Sequence, residues 1–271
     1  MDGSITQMVS LTCHANAHLR RGWLPVGYFA DNSAFKFCDR VSFVESRKSW
    51  LGASREQIVA EDPAAWFQYL KDEKALSLRL YWQPNQSPDL PDRITAGFVG
   101  GGGRWILAAM HPGGANYWIS RWEAWNEDAA EDRIWRVNYV LVARDQKLPP
   151  DDRPISDVKT DLESALKRIS AFTGNHNYSG FNDCFLQALH ILDTGAGEPL
   201  HHPDLYPPNS IPPESAALLS AAERAWVFGG MGSWNDISFD GDDQREYDEA
   251  SDQLYSALIQ AICVAANESS I

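Results

Sequence analysis

The chain has 271 residues, of which 44% are hydrophobic and 22% charged, so it can fold around a sizeable core and is not a disordered protein. Its formal net charge of −14 argues against binding to nucleic acid or to an anionic membrane surface, because both interactions need basic patches. The same charge favours solubility in the first place, and it would also attract a basic protein partner.

The cysteines and the chain start bear on the cellular compartment. Cys13, Cys38, Cys184 and Cys263 lie far apart and form no Cys-x-x-Cys pair, which favours free thiols in a reducing cytoplasm. The first residues lack a basic region followed by an apolar core, and no apolar run approaches the length of a membrane span. We therefore expect a soluble cytoplasmic protein of bacterial type.

Residues 1–147 are predicted to be rich in β-strands. Leu78, Leu80 and Trp82 alternate with polar neighbours, as in a strand with one buried face. Short turn segments separate the later strands, so neighbouring strands should be antiparallel and form a meander. Residues 54–71 are predicted to be helical, with Pro63 starting or kinking a turn. Predicted strands cover residues 5–12, 35–44, 77–82, 93–99, 104–110, 116–125 and 134–144.

From residue 155 onwards the hydrophobic period is that of helices, after a boundary rich in proline and charge at residues 148–154. Four helices are predicted, and Ser156 and Ser179 are the expected N-caps of the first two. The third should begin near Pro213 and end at Gly229. The fourth covers residues 247–265. The predicted fold is α+β. An N-terminal antiparallel β-meander, residues 1–147, packs against a C-terminal helical layer, residues 155–271, as two parts or as one continuous domain.

The most distinctive segment is residues 226–236, which contain three glycines, two tryptophans and an Asn-Asp pair. A dinucleotide-binding loop would need a further glycine and a preceding strand, and this segment has neither. We interpret Gly229 as a left-handed cap that ends a helix and Trp234 as a buried plug. Asn235 or Asp236 should then bind loose backbone donors.

Two segments contain side chains that can bind metal ions. The acidic stretch from Asp236 has carboxylates at EF-hand offsets, but Tyr247 stands where the closing glutamate belongs, and acidic residues also suit the first turn of a helix. Cys13, His14 and His18 are close in sequence but lack a catalytic glutamate and a second cysteine. We predict no metal ion and no cofactor.

The sequence predicts no catalytic residue. Cys184 lies in an amphipathic helix and is interpreted as a small core residue, and Ser233 lacks the glycines of a hydrolase elbow. An enzyme remains the alternative, with a pocket between sheet and helices in which His14, His18 or His111 works with a nearby carboxylate.

Five tryptophans on neighbouring predicted strands can share one face of the sheet. If the helical layer covers this face they belong to the core, which we expect for most of them. If the face is open, they can stack on a sugar ring or anchor a protein partner. The five are Trp105, Trp118, Trp122, Trp125 and Trp135, and the candidate binding residues are Trp118, Trp122, Trp234, Asn235 and Asp236.

Residues 228–236 read Phe-Gly-Gly-Met-Gly-Ser-Trp-Asn-Asp, which resembles a motif of uncharacterised bacterial proteins. Tyr247, Leu254 and Tyr255 add to the resemblance, which covers the C-terminal quarter of the chain and carries no established catalytic residues. Some small proteins of this kind act as antidotes or accessory factors, so the resemblance implies a binding role.

The charge and the missing catalytic set predict a non-enzymatic protein-binding factor, of which an immunity-type inhibitor of a basic toxin is a particular form. A hydrolase-type enzyme with a His/carboxylate pocket is the alternative. A carbohydrate-binding module, which rests on tryptophan density, is the third hypothesis.

Overall fold

The structure, a computed structural model, describes residues 1–48, 54–85, 90–126, 129–147, 153–195 and 201–270. One six-stranded sheet has the order β2-β1-β6-β5-β4-β3. The strands are β1 (Cys38–Lys48), β2 (Ser54–Ala60), β3 (Ser77–Gln83), β4 (Arg104–His111), β5 (Gly114–Ala124) and β6 (Trp135–Gln146). The α-helices are α1 (Gly3–Arg21), α2 (Tyr28–Asp31), α3 (Pro63–Asp72), α4 (Asp92–Thr95), α5 (Ile155–Asn175), α6 (Ser179–Thr194), α7 (Pro213–Arg224) and α8 (Gly241–Asn267).

The α+β fold is confirmed, with the meander formed by β3 to β6. Leu80 of β3 pairs with Leu107 of β4, which pairs with Trp118 of β5, which pairs with Leu141 of β6, all in antiparallel register. β1 pairs with β6 in parallel, so the sheet as a whole is mixed. A parallel pair needs a long connection, and here α3 and the other strands lie between the two in the chain.

Residues 5–12 belong to α1 and do not form the predicted strand. The helix begins after Asp2, whose Oδ1 accepts hydrogen bonds from the backbone N–H groups of Ser4 (2.8 Å) and Ile5 (2.9 Å). Every residue from Ile5 to Ala17 is buried, because α1 contacts β3, β4, α3 and α8. A helix that is covered on all sides lacks the polar face from which helices are predicted.

Two asparagines cover the free edge of the sheet at β3. Asn16 of α1 donates from Nδ2 to the Leu78 carbonyl (2.8 Å) and accepts the Leu78 N–H at Oδ1 (2.7 Å). Asn267 at the end of α8 makes the same pair of bonds with Leu80, at 3.0 and 2.6 Å. These bonds satisfy edge groups that could otherwise pair with another chain, and they fix α1 and α8 against the sheet.

Two further predicted elements are wrong in part. Residues 54–60 form strand β2, and the helix begins only at Pro63, where the missing N–H of proline costs no helical bond. Residues 93–99 contain the short helix α4 and turns instead of a strand. Arg93 is buried there and forms ion pairs with Asp248 (2.5 Å) and Asp252 (2.6 Å) of α8. Because these partners are distant in sequence, they leave no local pattern from which the helix could be predicted.

The helical layer comprises α5 to α8, and α8 contacts α5, α7 and β3. Both predicted N-caps are wrong. The N-cap position of α5 is Pro154, that of α6 is Tyr178, and neither helix has a side-chain cap bond from Ser156 or Ser179. Packing of the apolar faces therefore accounts for these helix starts better than capping does.

One face of the sheet carries the core. Trp66 of α3 stacks on Phe43 of β1 with ring centroids 4.1 Å apart, and the buried cluster runs from Ile5 to Ala266, across both predicted parts of the chain. The predicted boundary at residues 148–154 lies mostly outside the described residues. Within the described ranges, none of the helices has both the length and the apolar character needed to cross a membrane.

Candidate functional site

Trp234 is fully buried and acts as the predicted plug. Its indole N–H donates to Ser251 Oγ (2.8 Å) and its carbonyl accepts a bond from Tyr247 Oη (2.6 Å), both from α8. Phe181 of α6 packs edge-on against it, with centroids 5.2 Å apart. The indole N–H and the carbonyl of Trp234 are therefore both bonded to α8, and the ring fills the space between α6 and α8.

The loop before Trp234 differs in one respect from the prediction. Helix α7 ends at Arg224, and Gly229 does not have a left-handed φ, so Gly229 is not its cap. The left-handed residue is Gly232, at φ +82°, and its N–H donates to Asp236 Oδ2. Asn235 donates from Nδ2 to the backbone carbonyl of Arg93 (2.7 Å), so both predicted polar side chains bind backbone groups.

The acidic stretch after Trp234 is a helix start. Helix α8 begins at Gly241, and Asp242 and Asp243 occupy its first turn, where their charge is favoured. Asp236 is bound to the Gly232 N–H, within the same loop. Across the described parts of the chain, no group of three metal-ligating side chains comes together.

The five clustered tryptophans divide into three environments. Trp105 and Trp118 are buried in the core, so the burial predicted for most of the five holds for two of them. Trp122 and Trp135 are half-buried, with their rings edge to face and centroids 5.9 Å apart. Trp125 lies just beyond β5 and is largely exposed. The sheet face is thus closed at its centre and open at one end.

A cavity of about 260 Å³ lies at that open end, and we call it the aromatic pocket. Trp122 and Trp135 line it, together with the first turn of α1. Its rim has exposed apolar side chains: Phe98 is 69% exposed, Val99 59% and Phe37 50%. Large apolar residues grouped around a concave site are typical of binding surfaces.

The polar groups of the aromatic pocket are few and mostly paired. Gln7 donates from Nε2 to Cys38 Sγ (2.9 Å) and accepts from Tyr139 Oη (3.2 Å). Burial raises the pKa of the Cys38 thiol to about 11, so this thiol stays protonated and is a poor nucleophile. The indole N–H of Trp122 is buried and has no hydrogen-bond partner among the described residues. The pocket can therefore hold an apolar group.

The three candidate catalytic histidines do not share one site. His14 is buried and lines a separate cavity, where burial lowers its pKa to about 4. His18 lies near the ring of Phe67, at a centroid distance of 6.2 Å. His111 ends β4 and has Nε2 3.2 Å from Asn116 Nδ2.

The two side chains considered as nucleophiles, Cys184 and Ser233, occupy ordinary structural positions. Cys184 is half-buried on α6, so the prediction that it is a core residue is wrong. Its Sγ lies 3.5 Å from the Gly180 carbonyl of the preceding turn. Ser233 donates from Oγ to the Gly229 carbonyl (3.0 Å). Among the residues that the structure describes, neither is hydrogen-bonded to a histidine.

The sequence did not reveal the rim of the pocket. Phe98 and Val99 fell in a segment predicted as a strand, in which one of two consecutive apolar residues would be buried. The four glycines that follow them were the available signal, since glycine-rich segments mark loops and loops carry binding residues.

Comparison of the chain with protein-family models, curated proteins and solved structures finds no match. The geometry and charge of the molecule are therefore the basis for assigning a function.

Proposed function

We propose that this protein is a non-enzymatic protein-binding factor and that the aromatic pocket receives an apolar side chain of its partner. The supporting observation is the exposed rim of Phe98, Val99 and Phe37 around a cavity lined by Trp122 and Trp135. Tryptophan is enriched among the residues that anchor protein interfaces, and phenylalanine is enriched at interfaces relative to the rest of the surface.

The charge of the chain favours a basic partner. A net charge of −14 raises the rate at which a basic protein meets this surface and helps to reject acidic competitors. An immunity-type inhibitor of a basic toxin, acting in the cytoplasm, is the form of this function that we propose.

Affinity purification from the native host at low salt, with three forms of the chain as bait, tests this function. We expect the wild type to retain a basic protein and Phe98→Ser to lose it, because a hydroxyl cannot replace the buried apolar contact. Leu186→Ser is the matched control, since Leu186 is a half-exposed apolar residue on α6, outside the pocket.

Two results would count against the proposal. One is that no basic protein is recovered by the wild type even at low salt. The other is that Phe98→Ser and Leu186→Ser retain the same protein equally well, because the pocket would then have no part in binding.

A further inference from the structure

A second cavity, of about 480 Å³, lies between the C-terminal half of α1, helix α2 and the proline-rich segment 203–208. We call it the His14 cavity. It shares no lining residue with the aromatic pocket. Its aromatic and charged lining residues are His14, Trp23, Tyr28, Tyr206, Asp31 and Asp204.

Aromatic rings form the walls of the His14 cavity. The rings of His14 and Tyr28 have centroids 4.4 Å apart, and the ring of Trp23 lies almost parallel to His14, at 6.2 Å and 24°. Trp23 is 41% exposed, so part of its surface is free for a ligand. The face of an aromatic ring is its electron-rich side and attracts positive charge.

The charged residues of the lining are both acidic. Asp204 is held by Ser33, whose N–H donates to Oδ2 (2.8 Å) and whose hydroxyl donates to Oδ1. The carboxylate of Asp31 lies against the backbone of Gly27, so closely that a Cβ added to Gly27 would be 2.1 Å from Asp31 Oδ2. Neither carboxylate has an ion pair with a lysine or arginine in the described part of the chain. Two carboxylates therefore lie in the lining without a lysine or arginine partner, and that of Asp204 is hydrogen-bonded to Ser33.

His14 adds a hydrogen-bond acceptor. Its side chain is 98% buried, at 2% exposure, and Nδ1 lies 2.9 Å from the Ser10 carbonyl oxygen, which can be bonded only by an N–H. The proton of the neutral ring is thus on Nδ1, and Nε2 carries a lone pair. The structure gives Nε2 no partner among the described residues. Burial lowers the pKa of His14 to about 4, so near neutral pH the ring does not repel a cation.

We propose that the His14 cavity binds an organic cation, an alkylammonium or guanidinium group. The exposed aromatic face of Trp23 attracts its charge, the carboxylates of Asp31 and Asp204 balance it, and His14 Nε2 accepts a bond where the cation has an N–H. An anion would meet two carboxylates in this lining, which includes no lysine or arginine; Arg20 and Arg21 line a neighbouring cavity that shares Trp23. The site does not depend on the proposed function, because it shares no lining residue with the aromatic pocket.

Calorimetric titration of the full chain with two cations and their uncharged analogues tests the proposal. The pairs are choline against its carbon analogue dimethylbutanol, and N-acetylarginine amide against N-acetylcitrulline amide. We expect at least one cation to bind about tenfold more tightly than its analogue, given the strength of cation–π contacts in partly desolvated sites. Preference for choline indicates a free quaternary ammonium ligand, and preference for the arginine compound indicates a protein side chain; both support the proposal. Binding of neither cation above its analogue overturns it.

Variants locate the binding. We expect Trp23→Ala and Asp31→Asn to weaken cation binding about fivefold or more, because each removes one source of attraction. The matched controls are Trp125→Ala and Asp242→Asn, which change an exposed tryptophan and an exposed aspartate outside the cavity. Circular dichroism verifies that each variant is folded. If the controls weaken binding as much as the cavity variants do, the cation is bound by the general negative charge and the proposal is wrong.

This titration and the affinity purification can fail separately. Phe98 lines the aromatic pocket and not the His14 cavity, so Phe98→Ser leaves the His14 cavity intact. Loss of cation binding therefore does not bear on the rim of the aromatic pocket. A cation that binds in the cavity while no basic protein is recovered would remove the proposed function and leave the cavity assignment standing.

Discussion

Two tryptophan-containing regions of this molecule can be compared, the glycine-rich loop around Trp234 and the aromatic pocket around Trp122. Each tryptophan has an aromatic neighbour packed edge-on, at centroid distances of 5.2 and 5.9 Å. Trp234 is fully buried and its N–H is bonded to Ser251, whereas Trp122 borders a cavity and its N–H has no described partner. Aromatic content alone therefore does not separate a closed core from an open site; complete burial and the absence of a bordering cavity do.

The closed region also supports the open one. Asn235 bonds the backbone carbonyl of Arg93, and the loop backbone at Gly229 lies directly against Gly97. Residues 93–99 end in Phe98 and Val99, the rim of the aromatic pocket. The glycine-rich loop thus positions the proposed binding surface, and its own tryptophan does not contribute to it.

Trp234→Ala should produce the largest loss of stability. It removes a fully buried indole and leaves a cavity between α6 and α8, which costs about 3–5 kcal/mol. Denaturant unfolding followed by circular dichroism measures this. A variant as stable as the wild type would show that Trp234 is not part of the core, and the contrast with Trp122 would disappear.

Gly97→Ala should break the contact between the two regions. A Cβ at Gly97 would lie 2.1 Å from the carbonyl carbon of Gly229, so the backbone must shift, at a cost of about 1–3 kcal/mol. Gly230→Ala is the control, because its Cβ meets no atom within 4 Å and its φ is not left-handed. Equal unfolding midpoints for the two variants would contradict the close approach.

Asn235→Ala should loosen the rim at a smaller cost. It removes the bond to the Arg93 carbonyl, which contributes about 1 kcal/mol. We expect faster amide hydrogen exchange in residues 93–99 than in the wild type, with little change in the strands. Asp236→Asn serves as the control, since its side-chain oxygen can still accept the Gly232 N–H. Unchanged exchange in residues 93–99 would mean that the loop does not hold the rim.

Phe98→Ser should change stability least, within about 0.5 kcal/mol, as for other substitutions of exposed residues. Leu186→Ser should behave alike in the same unfolding experiment. If Phe98→Ser proved as destabilising as Trp234→Ala, Phe98 would belong to the core and the rim would not be a binding surface.

Much of the fold could be predicted from the sequence because its elements have one buried and one exposed face. The strict alternation around Leu80 and the helical period around Leu162 and Leu254 each identified an element that the structure contains. Helix α1 was missed because it is buried from Ile5 to Ala17 and has no polar face.

The site was less predictable because its parts are joined by contacts between distant residues. Trp234 could be identified as a plug from its glycine-rich surroundings, but no local pattern distinguishes buried Trp118 from Trp122 at the pocket, since both lie on the same face of β5. The rim depends on Arg93, which is held by Asp248 and Asp252 of α8. Such pairings appear only once the chain is folded.

The most direct test of this account measures stability and partner retention together for Trp234→Phe and Phe98→Ser. We expect Trp234→Phe to lose stability, because it leaves a small void and an unpaired Ser251 hydroxyl, yet to retain the basic partner under native conditions. Phe98→Ser should keep the stability of the wild type and lose the partner. The opposite pattern, with Phe98→Ser retaining the partner and a stable Trp234→Phe losing it, would place the binding site at the glycine-rich loop and contradict the account.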